Sequence, residues 1–297
     1  MSKYDIAAYI WPSYTGDEPR SRIFWPEGYG EWQTVKAMKP FYEGHKWSRK
    51  PLWGYVNEAD PYVMEMQIEA AAAHGVNVFI YDWYWYDDRP FLEQCLNNGY
   101  LKARNNDKVK FYIMWANHTA TSIWDKRTAE MNHPIWDGAV TRTQFEKVAH
   151  RTIQNYFTHP SYYNINVKPV YMIYDLDNLI RGLGGIDNTK KALEVVKKEW
   201  EYIDATFKMP YYPHISVDWD SSPRYNKFRF DECTNNTPEN VKIALEAAKN
   251  YVDTHTNLAA PLITVNSWNK WTESSYLEPY DLYGYGYLEA IKHVFCK

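Results

Sequence analysis

The chain has 297 residues and a formal net charge of -4, so it is long enough for two ordinary domains or one large α/β barrel. This charge gives no electrostatic footprint for nucleic acid or an anionic membrane, and no apolar stretch approaches the roughly 18 residues of a membrane-spanning helix. The cysteines, Cys95, Cys233 and Cys296, lie far apart and indicate neither a disulfide framework nor a CxxC metal motif.

Strand and helix signals alternate along the chain. Short, nearly continuous apolar runs are typical of parallel strands covered on both faces. In chain order they predict strands at Ile6–Ile10, Val76–Tyr81, Phe111–Trp115, Val170–Tyr174, His214–Val217 and Leu262–Val265, with Phe228–Phe230 a candidate for one more. Capping residues and 3.6-residue periodicity predict helices from Asp60 to Gly75, near Pro90–Ala103, Gln144–Phe157 and Thr189–Thr206, from Thr237 to Val252, and over Tyr287–Phe295.

This alternation predicts a single domain over residues 1–297, a (β/α)8 TIM-type barrel with long βα loops. The segments from Thr15 to Asn57 and from His118 to Ala139 are too long for simple connections, so we expect them to build part of a binding wall. Trp25, Trp47, Trp53 and Trp124 are expected only to pack these loops.

Polar and aromatic side chains follow nearly every predicted strand. Because all strands of a parallel barrel end on one face, these groups predict a shared pocket there. Aromatic rings could stack on sugar faces, while carboxylates and amides bind hydroxyls. The predicted substrate-binding residues are Tyr9, Asp82, Trp83, Trp115, Asn117, His118, Tyr174, Asp218, Trp268, Asn269, Trp271 and Tyr276.

Aromatic residues make up 18% of the chain, an excess that suits a sugar-binding groove. A core rich in aromatic side chains explains the same excess, because cores and pockets both favour such rings. The nine histidines show no metal-ligand spacing, so no metal site is predicted.

The C-terminal block WNKWTESSYLEP, followed by YGYGYLEAI, resembles the WbsX-like, glycoside hydrolase family 99-like enzymes. Similar segments are DPYVMEMQIEAAAAHGVNVFIYDWYWY, FYIMWANH, HPSYYNINVKPVYMIY and TPENV, which follow the family's order over most of the chain. The resemblance implies a (β/α)8 barrel that acts on glycans. One branch of the family contains retaining, endo-acting α-mannosidases. The WbsX branch is associated with surface-polysaccharide loci and is often labelled glycosyltransferase.

In that family the last strand is followed by W-N-E-W-x-E. The second glutamate falls on Glu273, for which the resemblance implies the role of general acid/base on the departing glycosidic oxygen. The first glutamate falls on Lys270, whose ammonium can neither accept a proton nor stabilise an oxocarbenium ion.

Three interpretations of Lys270 are open. It is a natural difference, with Asp82, Asp218 or Asp220 as the partner carboxylate of Glu273. Alternatively, it marks a glycan-binding or transferase relative that has lost hydrolysis. The third possibility is an introduced substitution.

We predict a glycoside hydrolase that binds and cleaves a polysaccharide or other glycan, endo-acting, with Glu273 and Lys270 in the catalytic centre. The alternatives are a glycosyltransferase of surface-polysaccharide synthesis and a catalytically silent glycan-binding barrel. Neutral sugars need no cofactor, and none is predicted. The predicted partner is a carbohydrate, without nucleic acid, membrane insertion or an obligate protein partner. Location stays open: cytoplasmic for the sequence as it stands, periplasmic or secreted if a signal peptide has been removed.

Overall fold

The computed structural model describes residues 3–16, 18–46, 49–199 and 212–296. Its strands are β1 (Asp5–Ile10), β2 (Val78–Tyr86), β3 (Arg89–Phe91), β4 (Lys110–Trp115), β5 (Ala120–Thr121), β6 (Pro134–Trp136), β7 (Asn164–Ile165), β8 (Lys168–Pro169), β9 (Tyr171–Ile173), β10 (His214–Ser216), β11 (Leu262–Asn266), β12 (Asn269–Lys270) and β13 (Ser275–Tyr276). Its α-helices are α1 (Trp32–Lys36), α2 (Pro61–Ala73), α3 (Arg142–Thr152), α4 (Leu176–Gly182), α5 (Ile186–Glu199), α6 (Pro238–Thr254) and α7 (Gly286–Phe295).

The main sheet is a curled, parallel half-barrel. Six parallel strands lie in the order β10, β11, β1, β2, β4 and β9, and β3 pairs antiparallel with β2. Strand β1 sits between β11 and β2, with Asp5 opposite Leu262 and Ala7 opposite Val78. Because the six strands are parallel, their carboxyl ends share one edge.

The described residues form six parallel strands of the expected eight-stranded barrel. Each of the six predicted strands overlaps a strand of the sheet, and β2 continues beyond the predicted end at Tyr81 to Tyr86. The candidate strand at Phe228–Phe230 is irregular instead.

Helix starts follow the capping chemistry of the sequence. The carboxylate of Asp60 accepts a hydrogen bond from the Tyr62 amide at 2.9 Å at the start of α2, and Thr237 caps α6 in the same way. The region predicted as a helix near Pro90–Ala103 is instead β3 followed by short π and 3-10 turns. The predicted helix Thr189–Thr206 appears as α5, and its last residues lie outside the described part of the chain.

Most residues of the central strands are buried, as expected of a sheet covered on both faces. All nine residues of β2, VFIYDWYWY, are buried, and this places the carboxylate of Asp82 inside the protein. Buried apolar side chains of the described residues form one contiguous cluster that runs from Tyr4 to Phe295. None of the described helices is both long enough and apolar enough to cross a bilayer.

Candidate active site

A cavity of about 680 Å³ opens at the carboxyl-end edge of the sheet. Its wall combines aromatic rings, two carboxylates and two cationic side chains. The lining residues are Tyr9, Trp11, Asp82, Tyr84, Met114, Ala116, His118, Ile123, Trp124, Met172, Tyr174, His214, Trp219, Arg224, Asn266, Ser267, Lys270 and Glu273.

Side-chain alternation along the strands decides which residues reach this cavity. In β2, Asp82 and Tyr84 line it, whereas Trp83 between them does not. After β4 the same two-residue period brings Ala116 and His118 to the cavity. Successive side chains of a strand point to opposite faces, so a residue's parity determines its side of the sheet.

Asp82 is a buried carboxyl group with little support from hydrogen bonds. Within the described residues, its side-chain atom Oδ1 has no hydrogen-bond partner, and Oδ2 lies 3.8 Å from Nζ of Lys270. Burial raises the pKa of Asp82 to about 7, although the positive charge of Lys270 opposes this shift. Near neutral pH, Asp82 can therefore carry a proton.

Glu273 has the opposite environment. Its Oε1 accepts a hydrogen bond from Nη1 of Arg224 at 2.5 Å in a nearly buried ion pair. Burial alone would raise the pKa of Glu273, but the charges of Lys270 and Arg224 outweigh it and lower the pKa below its ordinary value. Glu273 is therefore ionised at neutral pH.

Lys270 lies between these two carboxyl groups. Its Nζ is 4.0 Å from the ring centroid of Trp11, a cation–π contact, and within the described chain it makes no direct hydrogen bond. Burial lowers the pKa of His118, and Lys270 and Arg224 lower it further, so this imidazole is neutral. The cavity floor thus places one ammonium beside a protonatable carboxyl and an ionised one.

The structure sorts the predicted site residues into three places. The main cavity contains Tyr9, Asp82, His118, Tyr174, Lys270 and Glu273. A neighbouring cavity of about 260 Å³ contains Asp218 and Tyr276, together with Asp220. The side chains of Trp83, Trp115, Asn117, Trp268, Asn269 and Trp271 are buried and line neither cavity. Trp47 lies outside the described residues.

Direct substrate contact by the buried indoles does not fit this geometry. Trp83 donates its indole N–H to Oε1 of Glu93 at 2.8 Å, on the face of β2 opposite Asp82. Trp115 packs against Phe145 behind the sheet. These rings support the sheet instead of facing a ligand.

The residues of the W-N-x-W motif were predicted to contact substrate, but in the structure they pack and form hydrogen bonds inside the protein. Trp268, Asn269 and Trp271 are each 0% exposed. The side chain of Asn269 accepts a hydrogen bond from the Trp11 amide at 2.7 Å and donates to the Trp11 carbonyl at 3.1 Å. Their polar groups point into the protein behind the loop.

Asn117 joins two strand ends. Its Nδ2 donates to the carbonyl oxygen of Asp175 at 2.6 Å, and its Oδ1 accepts from the Asp175 amide at 2.7 Å. Its own carbonyl accepts a hydrogen bond from Asn178. Because both ends of the side-chain amide are used, Asn117 is better suited to hold the loop than to bind sugar.

The neighbouring cavity contains a cluster of His45, Asp220 and Glu232. The amide of Phe41 donates to Nδ1 of His45 at 3.2 Å, so a neutral imidazole carries its proton on Nε2. That Nε2 lies 2.8 Å from Oδ2 of Asp220 and donates to it. The nitrogen that faces the carboxylates is thus occupied by a proton, which favours hydrogen bonding over metal ligation.

Twelve of the eighteen lining residues were not among the predicted site residues, and four of them show which sequence signals were missed or absent. Tyr84 and Trp11 follow Asp82 and Tyr9 by two positions, so strand periodicity could have identified them. Trp124 was expected only to pack its loop, yet it lines the cavity. Arg224 follows a proline in a short turn, and no sequence signal marks it.

The chain belongs to the WbsX family. The family described as "Glycosyltransferase WbsX" matches residues 6–203 and 185–291, in agreement with the resemblance of the sequence segments. The uncharacterized protein WxcX of Xanthomonas campestris pv. campestris (strain B100) is 21% identical over 335 residues, covering 92% of this chain and 47% of WxcX. WxcX of strain ATCC 33913 gives the same values. The chain therefore spans about half the length of the curated relatives it matches.

Solved structures of similar fold include glycoside hydrolases. The GH99 endo-alpha-mannosidase from Bacteroides thetaiotaomicron superposes with a TM-score of 0.55 at 12% identity, over 97% of this chain and 95% of that one. A glycoside hydrolase-like protein gives 0.62 at 13% identity, over 99% and 94%. At these identities the comparisons establish similarity of fold.

Replacing Asn117 with aspartate should destabilise the fold. The carboxylate loses the N–H that donates to Asp175 and faces that carbonyl with negative charge, so we expect a loss of roughly 2–3 kcal/mol in the free energy of unfolding. Urea denaturation measures this loss, with the exposed Asn155→Asp as control. Unchanged stability combined with weaker glycan binding would restore direct substrate contact by Asn117.

Asp82 should make stability depend on pH in a defined direction. Its pKa is about 7 in the folded state and 3.8 in the unfolded chain, so the folded state holds the proton more tightly. Its stabilisation is complete below about pH 4 and is lost as pH rises towards 7, roughly 4 kcal/mol in all. In urea titrations, the free energy of unfolding of wild-type protein should therefore fall over this pH range relative to that of Asp82→Asn. The exposed control Asp107→Asn keeps Asp82, so its free energy of unfolding should fall as in wild type. A difference independent of pH contradicts the assignment.

Proposed function

We propose that this protein is a glycan-active enzyme that cleaves a glycosidic bond in the cavity at the carboxyl ends of the strands. The observation that carries the proposal is the pair Asp82 and Glu273, two carboxyl groups in one ring-lined cavity with opposite electrostatic environments. Glycoside cleavage requires such a pair, one group that holds a proton and one that is ionised. The WbsX family and the GH99-like fold support a glycan as substrate.

Asp82 is the proton donor in this proposal. Its carboxyl group is protonated up to about pH 7 and lines the cavity, where it can donate to a glycosidic oxygen. Of the three carboxylates that the sequence offered as partners for Glu273, only Asp82 lines the same cavity, while Asp218 and Asp220 line the neighbouring one.

Glu273 is the ionised partner. The ion pair with Arg224 keeps it negative, which disfavours the general-acid role that the family resemblance implies. An ionised carboxylate can instead accept a proton from the attacking hydroxyl or stabilise positive charge at the anomeric carbon.

Lys270 adjusts both groups in this proposal. Its charge lowers the pKa of Glu273, and it limits the rise in the pKa of Asp82 that burial causes. Loss of the ammonium should raise the pKa of Asp82 and therefore move the alkaline limb of the pH–rate profile to higher pH.

The family description names one alternative, a glycosyltransferase. A nucleotide-sugar donor would bring a diphosphate. The described residues around the main cavity supply two permanent cations, Lys270 and Arg224, and Arg224 is already paired with Glu273. Nucleotide sugars should therefore bind weakly, and saturable micromolar binding of one in calorimetry would favour the transferase.

Removal of the proton donor should depend on the leaving group. Asp82→Asn should lose roughly 100-fold or more in kcat/KM on a natural glycan and far less on activated aryl glycosides, whose leaving groups need no protonation. Glu273→Gln should lose activity on both substrate types. The assay is a steady-state comparison of both variants on a panel of glycans and matching aryl glycosides. If Glu273→Gln shows the leaving-group selectivity instead, Glu273 is the acid.

The change Lys270→Glu separates a working enzyme from a silent one. A third carboxylate beside Asp82 and Glu273 raises the pKa of at least one of them and removes the ammonium, so activity should fall about tenfold or more. The exposed Lys292→Glu serves as control for the charge change, and Lys270→Met separates loss of the cation from gain of the carboxylate. Glycan cleavage by Lys270→Glu alone, with inert wild-type protein, would identify a silent glycan-binding barrel.

A further inference from the structure

Two buried glutamates lie directly behind the loop that carries Lys270 and Glu273. Glu58 precedes α2 and is 0% exposed, and Glu278 follows β13 and is 2% exposed. The side-chain amide of Gln67, from α2, joins them: Nε2 donates to Oε1 of Glu58 at 3.1 Å and to Oε1 of Glu278 at 2.8 Å. The group lines neither of the two cavities described above.

The side chains on both sides of Lys270 hydrogen-bond the loop to the two buried glutamates. Nδ2 of Asn269 donates to Oε1 and Oε2 of Glu58, at 2.9 and 3.0 Å. The indole N–H of Trp271 donates to Oε2 of Glu278 at 2.6 Å. Alternation along β12 and the following turn then leaves Lys270 on the opposite side, facing the main cavity.

No cation compensates the two carboxyl groups. Within the described chain neither Glu58 nor Glu278 has an ion-pair partner. The titratable groups that face them are the thiol of Cys95 and the phenols of Tyr14 and Tyr81, and burial raises the pKa of each, so all three are neutral. Two negative charges buried away from water and without a paired cation would be strongly unfavourable.

We infer that Glu58 and Glu278 are positioning residues that share one proton and, through Asn269 and Trp271, fix the loop that places Lys270 and Glu273 in the cavity. The inference rests on the proposed function for its catalytic meaning. The hydrogen bonds show why one proton suffices, because a single charge is divided among the donors of Asn269, Gln67 and Trp271. Burial raises the pKa of Glu58 to about 7 and that of Glu278 well above its ordinary value, which agrees with this state.

Loss of the shared proton loosens the loop. When both carboxyl groups are ionised, they repel each other across the Gln67 amide. Opening of the loop then becomes favourable, because it lets water solvate the two charges. Burial, and then the charge of Glu58, raise the pKa of Glu278 well above its ordinary value, so the order of the loop is present at neutral pH and is lost only as pH rises through the pKa of Glu278.

Hydrogen exchange of the 266–278 peptide tests this without any substrate. After correction for intrinsic exchange rates, wild-type protection should fall about tenfold between pH 7 and pH 10, as the last proton of the pair is lost. Glu58→Gln keeps a neutral group that can still accept from Asn269, so it should retain protection at both pH values. Glu58→Ala should lose about tenfold already at pH 7, because Asn269 loses both of its hydrogen bonds to Glu58. The exposed Glu246→Gln serves as control, and exchange of the 238–254 helix reports whether each variant is folded.

Two results would overturn the inference: protection of the 266–278 peptide in Glu58→Ala equal to the control, or the same pH-dependent loss in Glu58→Gln as in wild type. On a glycan that wild-type protein cleaves, Glu58→Ala should lower kcat about tenfold or more with KM changed less, and Glu58→Gln should recover most of that loss. If wild-type protein cleaves no glycan, the proposed function fails, and the exchange experiment still decides whether Glu58 and Glu278 hold the loop.

Discussion

Burial of both faces of a parallel sheet is the constraint on which this site depends. Every residue of β2 is buried, so the strand must place its one carboxyl group, Asp82, inside the protein. The same burial raises the pKa of Asp82 to about 7 and so supplies a group that holds a proton at neutral pH. Parallel pairing then brings this group to the edge where β11 delivers the loop with Lys270 and Glu273.

Two kinds of polar burial meet in this part of the molecule. Around the cavity, carboxyl groups stand beside cations, and the position of each cation separates an ionised Glu273 from a protonatable Asp82. Behind the loop, Glu58 and Glu278 have only neutral donors. Charged partners thus tune the groups that face the cavity, whereas neutral amides and indoles hold the backbone that carries them.

Much of this arrangement could be predicted from the sequence. Apolar runs located all six parallel strands, and strand ends located the edge at which the cavity opens. The predictions did not apply the two-residue period beyond those ends, so Trp83 and Trp115 were expected in the cavity while Tyr84 was omitted. Arg224 could not be predicted, because its approach to Glu273 depends on the packing of an irregular segment against the last loop. Closure of the barrel was predicted from strand–helix alternation at this chain length and from the family resemblance, and neither sets the number of strands by itself.

The buried strand β2 also has a consequence for how the chain reaches its fold. Its sequence VFIYDWYWY combines high β-propensity with a single charge, the composition of segments that aggregate when exposed. Its neighbour β1 also pairs with β11, since Asp5 lies opposite Leu262, so this part of the sheet is completed only by residues distant in sequence. In the unfolded chain Asp82 is ionised at neutral pH and interrupts the apolar run as a gatekeeper. Asp82 thus has two roles: it holds a proton in the folded cavity, and its negative charge in the unfolded chain opposes aggregation of β2.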